Sequence, residues 1–143
     1  WKIRMKPGKP VAIGTIHTTD KKIPLFALPG NPVSALMGFL QFVRPFLLGK
    51  MDHPQPEMQR VPATMGCELN KRGSRLEFVR VRLEKHSDGL KVFPTKSQSS
   101  AWMSSFCDAT ALLPVAPDCN HLTQGAEVEV QLLPGLGKWF PAK

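Results

Sequence analysis

Apolar residues follow two different rhythms along this chain. Val11-Ala-Ile-Gly-Thr-Ile16 and Ile23-Pro-Leu-Phe-Ala-Leu28 are short runs rich in apolar and β-branched residues, which predicts two strands with Asp20-Lys21-Lys22 turning between them. From Val33 the period changes. Positions 33, 36, 37, 39, 40, 42, 43, 46 and 47 are apolar, and only Ser34, Gly38, Gln41 and Arg44 mark a narrow polar or small strip. That spacing predicts a largely buried helix running to about Leu48. Asn31 suits its N-cap and Pro32 its first position, where a missing N–H costs nothing. Pro45 is expected to kink the helix or end its regular part.

Residues 52–59 carry two prolines and no periodicity, and read as a linker. Beyond them the pattern is β. Arg60–Gly66 is extended. Arg75–Lys85 is a long β-rich run whose alternation slips at Phe78–Val79, predicting a bulge or burial on both faces. Asp88-Gly89 signals a hairpin into the strand Leu90–Pro94, and Ala111–Val115 is a further strand. In Ala126–Leu132 the alternation is clean, with Ala126, Val128, Val130 and Leu132 inward and Glu127, Glu129 and Gln131 outward. Residues 97–109 lack this period and read as a loop or short helix. The chain is therefore expected to be α+β. Residues 1–51 are an α/β piece, 52–59 a linker, and 60–143 a small barrel-like β domain.

Composition narrows the function classes. Residues 1–50 hold eight Lys/Arg against one acid, Asp20, whereas residues 51–143 hold eleven against ten. The excess positive charge is thus local to the first third and favours an anionic partner. A nucleic-acid role is not expected. There is no Tyr, Phe and Trp total eleven, and the basic residues are not interleaved with aromatics as a stacking platform requires. No unbroken apolar run reaches the ~18 residues of a membrane span, because Ser34, Gln41, Arg44 and Pro45 interrupt the best candidate. Cys67, Cys107 and Cys119 show no CxxC spacing and the four histidines no metal-ligand spacing, so a reducing cytoplasm without a zinc site is expected. Residue 1 is Trp rather than Met and no signal peptide is evident, so the chain is read as a fragment or processed product.

Four segments could carry chemistry. Lys6-Pro7-Gly8-Lys9-Pro10 is a stiff turn that can aim two ammonium groups at one anion, or else a basic surface turn. Leu28-Pro29-Gly30-Asn31-Pro32-Val33-Ser34 leads from a strand into a helix N-terminus, where unpaired N–H groups and the Ser34 hydroxyl can meet an anion and Gly30 can admit close approach. Its plain reading is a capped helix. Arg80 is either a charge on the barrel surface or one reaching into a cleft. The serine-rich stretch from Ser97 to Ser105 is either an oxyanion-binding loop or a solvated one.

Taken together, PGKP at 7–10, LPGNPVS at 28–34, Phe78-Val-Arg80, Gln98-Ser-Ser100 and Gly125-Ala-Glu-Val-Glu-Val130 resemble the molybdopterin molybdenumtransferases, which include bacterial MoeA and the gephyrin E domain. The resemblance covers nearly the whole chain. It implies an enzyme of molybdenum cofactor biosynthesis that inserts molybdate into adenylylated molybdopterin with release of AMP, assisted by Mg2+ whose ligands lie mainly upstream of these residues. It assigns catalytic roles to Lys6, Lys9 and Ser34. Pro7, Gly8, Pro10, Pro29, Gly30, Asn31, Pro32, Arg80 and Ser100 become substrate-binding. A cytoplasmic homodimer working with other molybdenum-cofactor biosynthesis proteins is implied, with a protein-binding scaffold of the same fold as the alternative. Many members have glycine where Ser99 stands. The family's glycine-rich segment bearing serine and aspartate would precede residue 1, so this chain alone is expected to be a poor catalyst.

Overall fold

The computed structural model describes residues 3–99 and 103–135. In chain order the elements are β1 (Met5–Lys6), β2 (Ala12–His17), β3 (Lys22–Ala27), α1 (Pro32–Gly38), a π-helical turn (Phe39–Val43) and α2 (Arg44–Lys50). There follow β4 (Arg60–Met65), β5 (Leu69–Asn70), β6 (Leu76–His86), β7 (Gly89–Pro94), a 3-10 turn at Met103–Phe106, β8 (Ala111–Val115), β9 (His121–Leu122) and β10 (Glu127–Leu132). The fold is α+β, as the sequence pattern indicates.

The β half closes on itself. Hydrogen-bonded neighbours run β6-β7-β4-β10-β8, and β8 pairs again with β6, which makes a five-stranded barrel. Its interior holds Val61, Met65, Val79, Val81, Leu83, Val92, Leu113, Val115 and Val130 among others. The long strand β6 explains its own irregular pattern. Phe78, Val79, Arg80 and Val81 are consecutively buried. Val79 and Val81 point into the barrel, while Phe78 joins a second cluster outside it, so both faces are covered and no bulge is required.

That second cluster seats the helix on the barrel. It contains Met5, Met37, Leu40, Met58, Phe78 and Leu112. Two polar contacts fix the helix further along. Gln41 Nε2 donates to Gln131 Oε1 at 2.8 Å, and Arg44 donates to the Pro56 carbonyl at 3.0 Å. Gln131 does leave the barrel wall outward, as its alternation says, yet it is buried because the helix covers it. Residues 52–59 are likewise tied down, through Pro56 and the buried Met58.

Pro45 does not end the helix, but the regular α-helical ladder is interrupted just before it, at Phe39–Val43. Lacking an N–H and crowding the carbonyl four residues back, it is accommodated by the preceding π turn, in which the Arg44 N–H reaches the Phe39 carbonyl. The helix is also not largely buried. α2 has no buried residue, and Phe39 and Leu47 are exposed. The continuous span Pro32–Lys50, at 19 residues, is long and apolar enough to cross a membrane by length and composition, contrary to the reading of interrupted runs. Met37, Leu40 and Gln41 engage it with the barrel instead.

β2 and β3 form an antiparallel hairpin in the register Ile16↔Ile23. One side meets the helix through Phe26 on Phe46, with ring centroids 5.2 Å apart. The other side carries Ala12, Gly14, Ile16, Ile23, Leu25 and Ala27, with Ile16, Ile23 and Leu25 exposed.

Candidate functional site

β1 is short but decides where the site lies. It pairs in parallel with the start of β6, Met5 opposite Leu76 and Lys6 opposite Glu77. Glu77 also pairs with Val115 of β8, and Val81 pairs with both β8 and β7. β8 therefore occupies one edge of β6 from Glu77 to Val81. On the other edge β1 ends at Glu77 and β7 begins at Val81, so residues 78–80 have no strand beside them. A cleft of about 460 Å³ opens at this gap, within the usual size of small-molecule sites. Lys6, Pro7, Gly8, Lys9, Pro10, Ser34, Arg75, Glu77, Phe78, Arg80, Gln98 and Ser99 line it.

The basic turn and the helix start face each other across this cleft. Gly8 has φ +109°, a conformation other residues rarely adopt. A Cβ there would lie 2.5 Å from Met5 Cε and 3.6 Å from the Ser34 carbonyl oxygen, which measures how closely the turn approaches the helix. Ser34 is buried at the first turn, its N–H directed to Asn31 Oδ1 at 3.4 Å. Lys6 is held by Glu77 at 2.9 Å and remains partly exposed, while Lys9 is exposed. Such a half-exposed ion pair contributes at most about 1 kcal/mol, so its effect is chiefly to orient the ammonium group.

Arg80 is the most deeply set cation, only 1% exposed. It is not a barrel-surface charge. Its Nη2 donates to the Ser97 and Ser99 carbonyls at 3.4 and 3.2 Å, and its guanidinium lies 5.5 Å from the Phe106 ring centroid. Its buried Nε has no hydrogen-bond partner among the described residues. Burial pushes the guanidinium below its ordinary pKa, and the Glu77 carboxylate opposes that shift. A buried donor left unpaired is costly, and an anion nearby offsets the cost.

Of the residues singled out from sequence, the structure brings together Lys6, Pro7, Gly8, Lys9, Pro10, Ser34 and Arg80. Pro29, Gly30, Asn31 and Pro32 are not in the lining. Asn31 caps the helix, and a Cβ on Gly30 would meet no protein atom within 4 Å. The loop that begins at this strand end presents Ser34 and stays behind it. Ser100 lies outside the described residues. Sequence reasoning missed Arg75 and Glu77. Their position follows from the pairing of β1 with β6 across some 70 residues, for which no local signal exists. The cleft thus holds four cations against one carboxylate. It can bind a compact, multiply charged oxyanion or a phosphorylated ligand.

Comparison with known proteins agrees with this architecture. Residues 62–133 match the family model described as MoeA C-terminal region (domain IV), and residues 1–49 match that described as "Probable molybdopterin binding domain". Molybdopterin molybdenumtransferase 2 of Mycobacterium tuberculosis is 32% identical over 131 residues, covering 90% of this chain and 30% of the relative. Molybdopterin molybdenumtransferase of Haemophilus influenzae is 32% identical over 135 residues, covering 92% and 32%. The crystal structure of a molybdopterin biosynthesis MoeA protein from Pyrococcus horikoshii superimposes with a TM-score of 0.72 at 33% identity, covering 93% of this chain and 31% of that one. The barrel, with its cationic cleft beside the longest strand, falls in the region matched to the C-terminal part of MoeA-type proteins, and the chain belongs to the MoeA family. It spans about a third of the length of the relatives it matches.

Proposed function

We propose that this chain forms one wall of the active cleft of a molybdopterin molybdenumtransferase, which inserts molybdate into adenylylated molybdopterin and releases AMP. The observation that carries this reading is the convergence of Lys6, Lys9, Arg80 and Ser34 on one cleft from three separate segments. Molybdate is a tetrahedral dianion, and adenylylated molybdopterin carries phosphate groups. Both need fixed positive charge and hydrogen-bond donors in a partly dry site, where such groups stabilise developing negative charge best. In this reading Arg80 supplies a buried charge, Lys6 and Lys9 an exposed rim, and Ser34 a hydroxyl at the helix start. Pro7 and Pro10 stiffen the turn, so less ordering entropy is lost on binding. The backbone of Pro29–Pro32 sets the position of Ser34.

Magnesium does not fit the described residues. Among them no group of three His, Cys, Asp or Glu could hold a metal ion. The cleft's single carboxylate, Glu77, is paired with Lys6. The part of the reaction carried by this chain is anion binding and orientation.

Equilibrium dialysis against tungstate, the heavier analogue of molybdate, tests this reading. Uptake of one tungstate per chain is expected. Because the contacts are ionic and partly exposed, affinity should fall severalfold between low and physiological salt. No saturable uptake at low salt would refute the reading.

A further inference from the structure

We infer that Gln98 is a positioning residue for Arg80, its side-chain amide standing in for the strand that β6 lacks at the cleft. The inference rests on the oxyanion reading of the cleft and deepens it. In a β-strand the N–H and C=O of one residue point to the same edge. At Arg80 that edge is the gap between β1 and β7. Gln98 Oε1 accepts the Arg80 N–H at 3.0 Å, and Gln98 Nε2 donates to the Arg80 carbonyl at 2.9 Å. This is the two-bond exchange that a hydrogen-bonded residue of an antiparallel neighbour would make. The same Nε2 lies 3.0 Å from Thr95 Oγ1 and 3.3 Å from the Thr95 carbonyl, and the Thr95 N–H also reaches the Arg80 carbonyl at 2.9 Å.

The consequence reaches the guanidinium. By pinning residue 98 to the backbone of residue 80, Gln98 brings the Ser97 and Ser99 carbonyls onto Arg80 Nη2. Thr95 secures the loop from its other end by donating to the Ser97 carbonyl at 3.2 Å. The guanidinium is therefore clamped between two loop carbonyls and the Phe106 ring. Gln98 needs no direct contact with the anion. It fixes the plane of the guanidinium, and the donors not taken by the loop carbonyls are aimed only as well as that plane is held. The carboxamide both accepts from N–H and donates to C=O here. Methionine fills the space without either bond, and glutamate keeps only the acceptor.

The test is a double-mutant cycle on tungstate affinity, with thermal unfolding of every variant to confirm folding. Gln98→Met is expected to weaken tungstate binding about tenfold, as loss of supporting contacts does at other ligand sites. In an Arg80→Lys background, where no fork remains to be oriented, the same change is expected to alter affinity less than about twofold. Thr95→Val removes one anchor of the Gln98 amide and should give a smaller loss of the same sign, which serves if Gln98→Met fails to fold. Wild-type affinity in both Gln98→Met and Thr95→Val overturns the positioning role and leaves the oxyanion cleft standing. An equal loss in both Arg80 backgrounds overturns it too, since it marks a general structural effect. A wild-type chain that takes up no tungstate overturns the cleft assignment, and this role with it.

Discussion

Arg80→Met is expected to remove most tungstate binding while leaving the fold nearly as stable as before. Hydrogen bonds to charged groups are worth about 1.5–3 kcal/mol, so losing one such donor from the cleft should weaken binding roughly 10- to 100-fold. Stability responds differently because two effects oppose. The Ser97 and Ser99 carbonyls lose the Arg80 donor, but the Ser97 carbonyl keeps Thr95 Oγ1 and Ser99 is exposed to water. Against that, the substitution removes a desolvated charge whose Nε is unpaired. Removing a charge whose desolvation is incompletely compensated recovers part of that cost, so unfolding free energy should change by no more than about 1 kcal/mol. Dialysis and urea denaturation on the same preparation separate the two effects. A large stability loss with tungstate binding intact would make Arg80 a structural residue.

Met37→Ala should produce the largest loss of stability at any position near the site. Met37 is fully buried where the helix meets Met5, Phe78 and Leu112. Truncating a buried methionine costs about 2–5 kcal/mol, the spread reflecting how far the surroundings collapse. The barrel has its own core and does not depend on this contact. What loosens is the seat of the helix, and with it the placement of Ser34 opposite the Lys6–Pro10 turn. Tungstate affinity should therefore fall although Met37 does not line the cleft. Urea midpoints and dialysis read both effects, and unchanged values in both would show that the helix is held elsewhere.

The features legible in the sequence are those with a local cause. The two periods separate the helix from the strands. The Asn31-Pro32 cap fixes the helix start, and the uninterrupted burial of Phe78–Val81 is visible as a slip in the alternation. Gly8 and the flanking prolines mark the turn. Two local patterns misled because a tertiary neighbour decides them. Gln131 alternates outward yet is buried under the helix. The apolar circumference of Val33–Leu48 implies burial all round, but only its first half packs on the barrel within this chain. The cleft itself was half legible. Its lysines, Ser34 and Arg80 belong to recognisable motifs. Glu77 and Arg75 enter only because β1 adds to the edge of β6, and Gln98 acquires its role only because that edge has a gap.

Everything proposed for the site depends on one small oxyanion meeting the basic turn, the helix start and Arg80 together. Anomalous diffraction from a tungstate-soaked crystal locates that anion directly. The expected peak lies in the cleft, within ionic contact of Arg80 and of Lys6 or Lys9, and close to Ser34. A fully occupied peak elsewhere on the chain, with the cleft empty, would contradict the assignment.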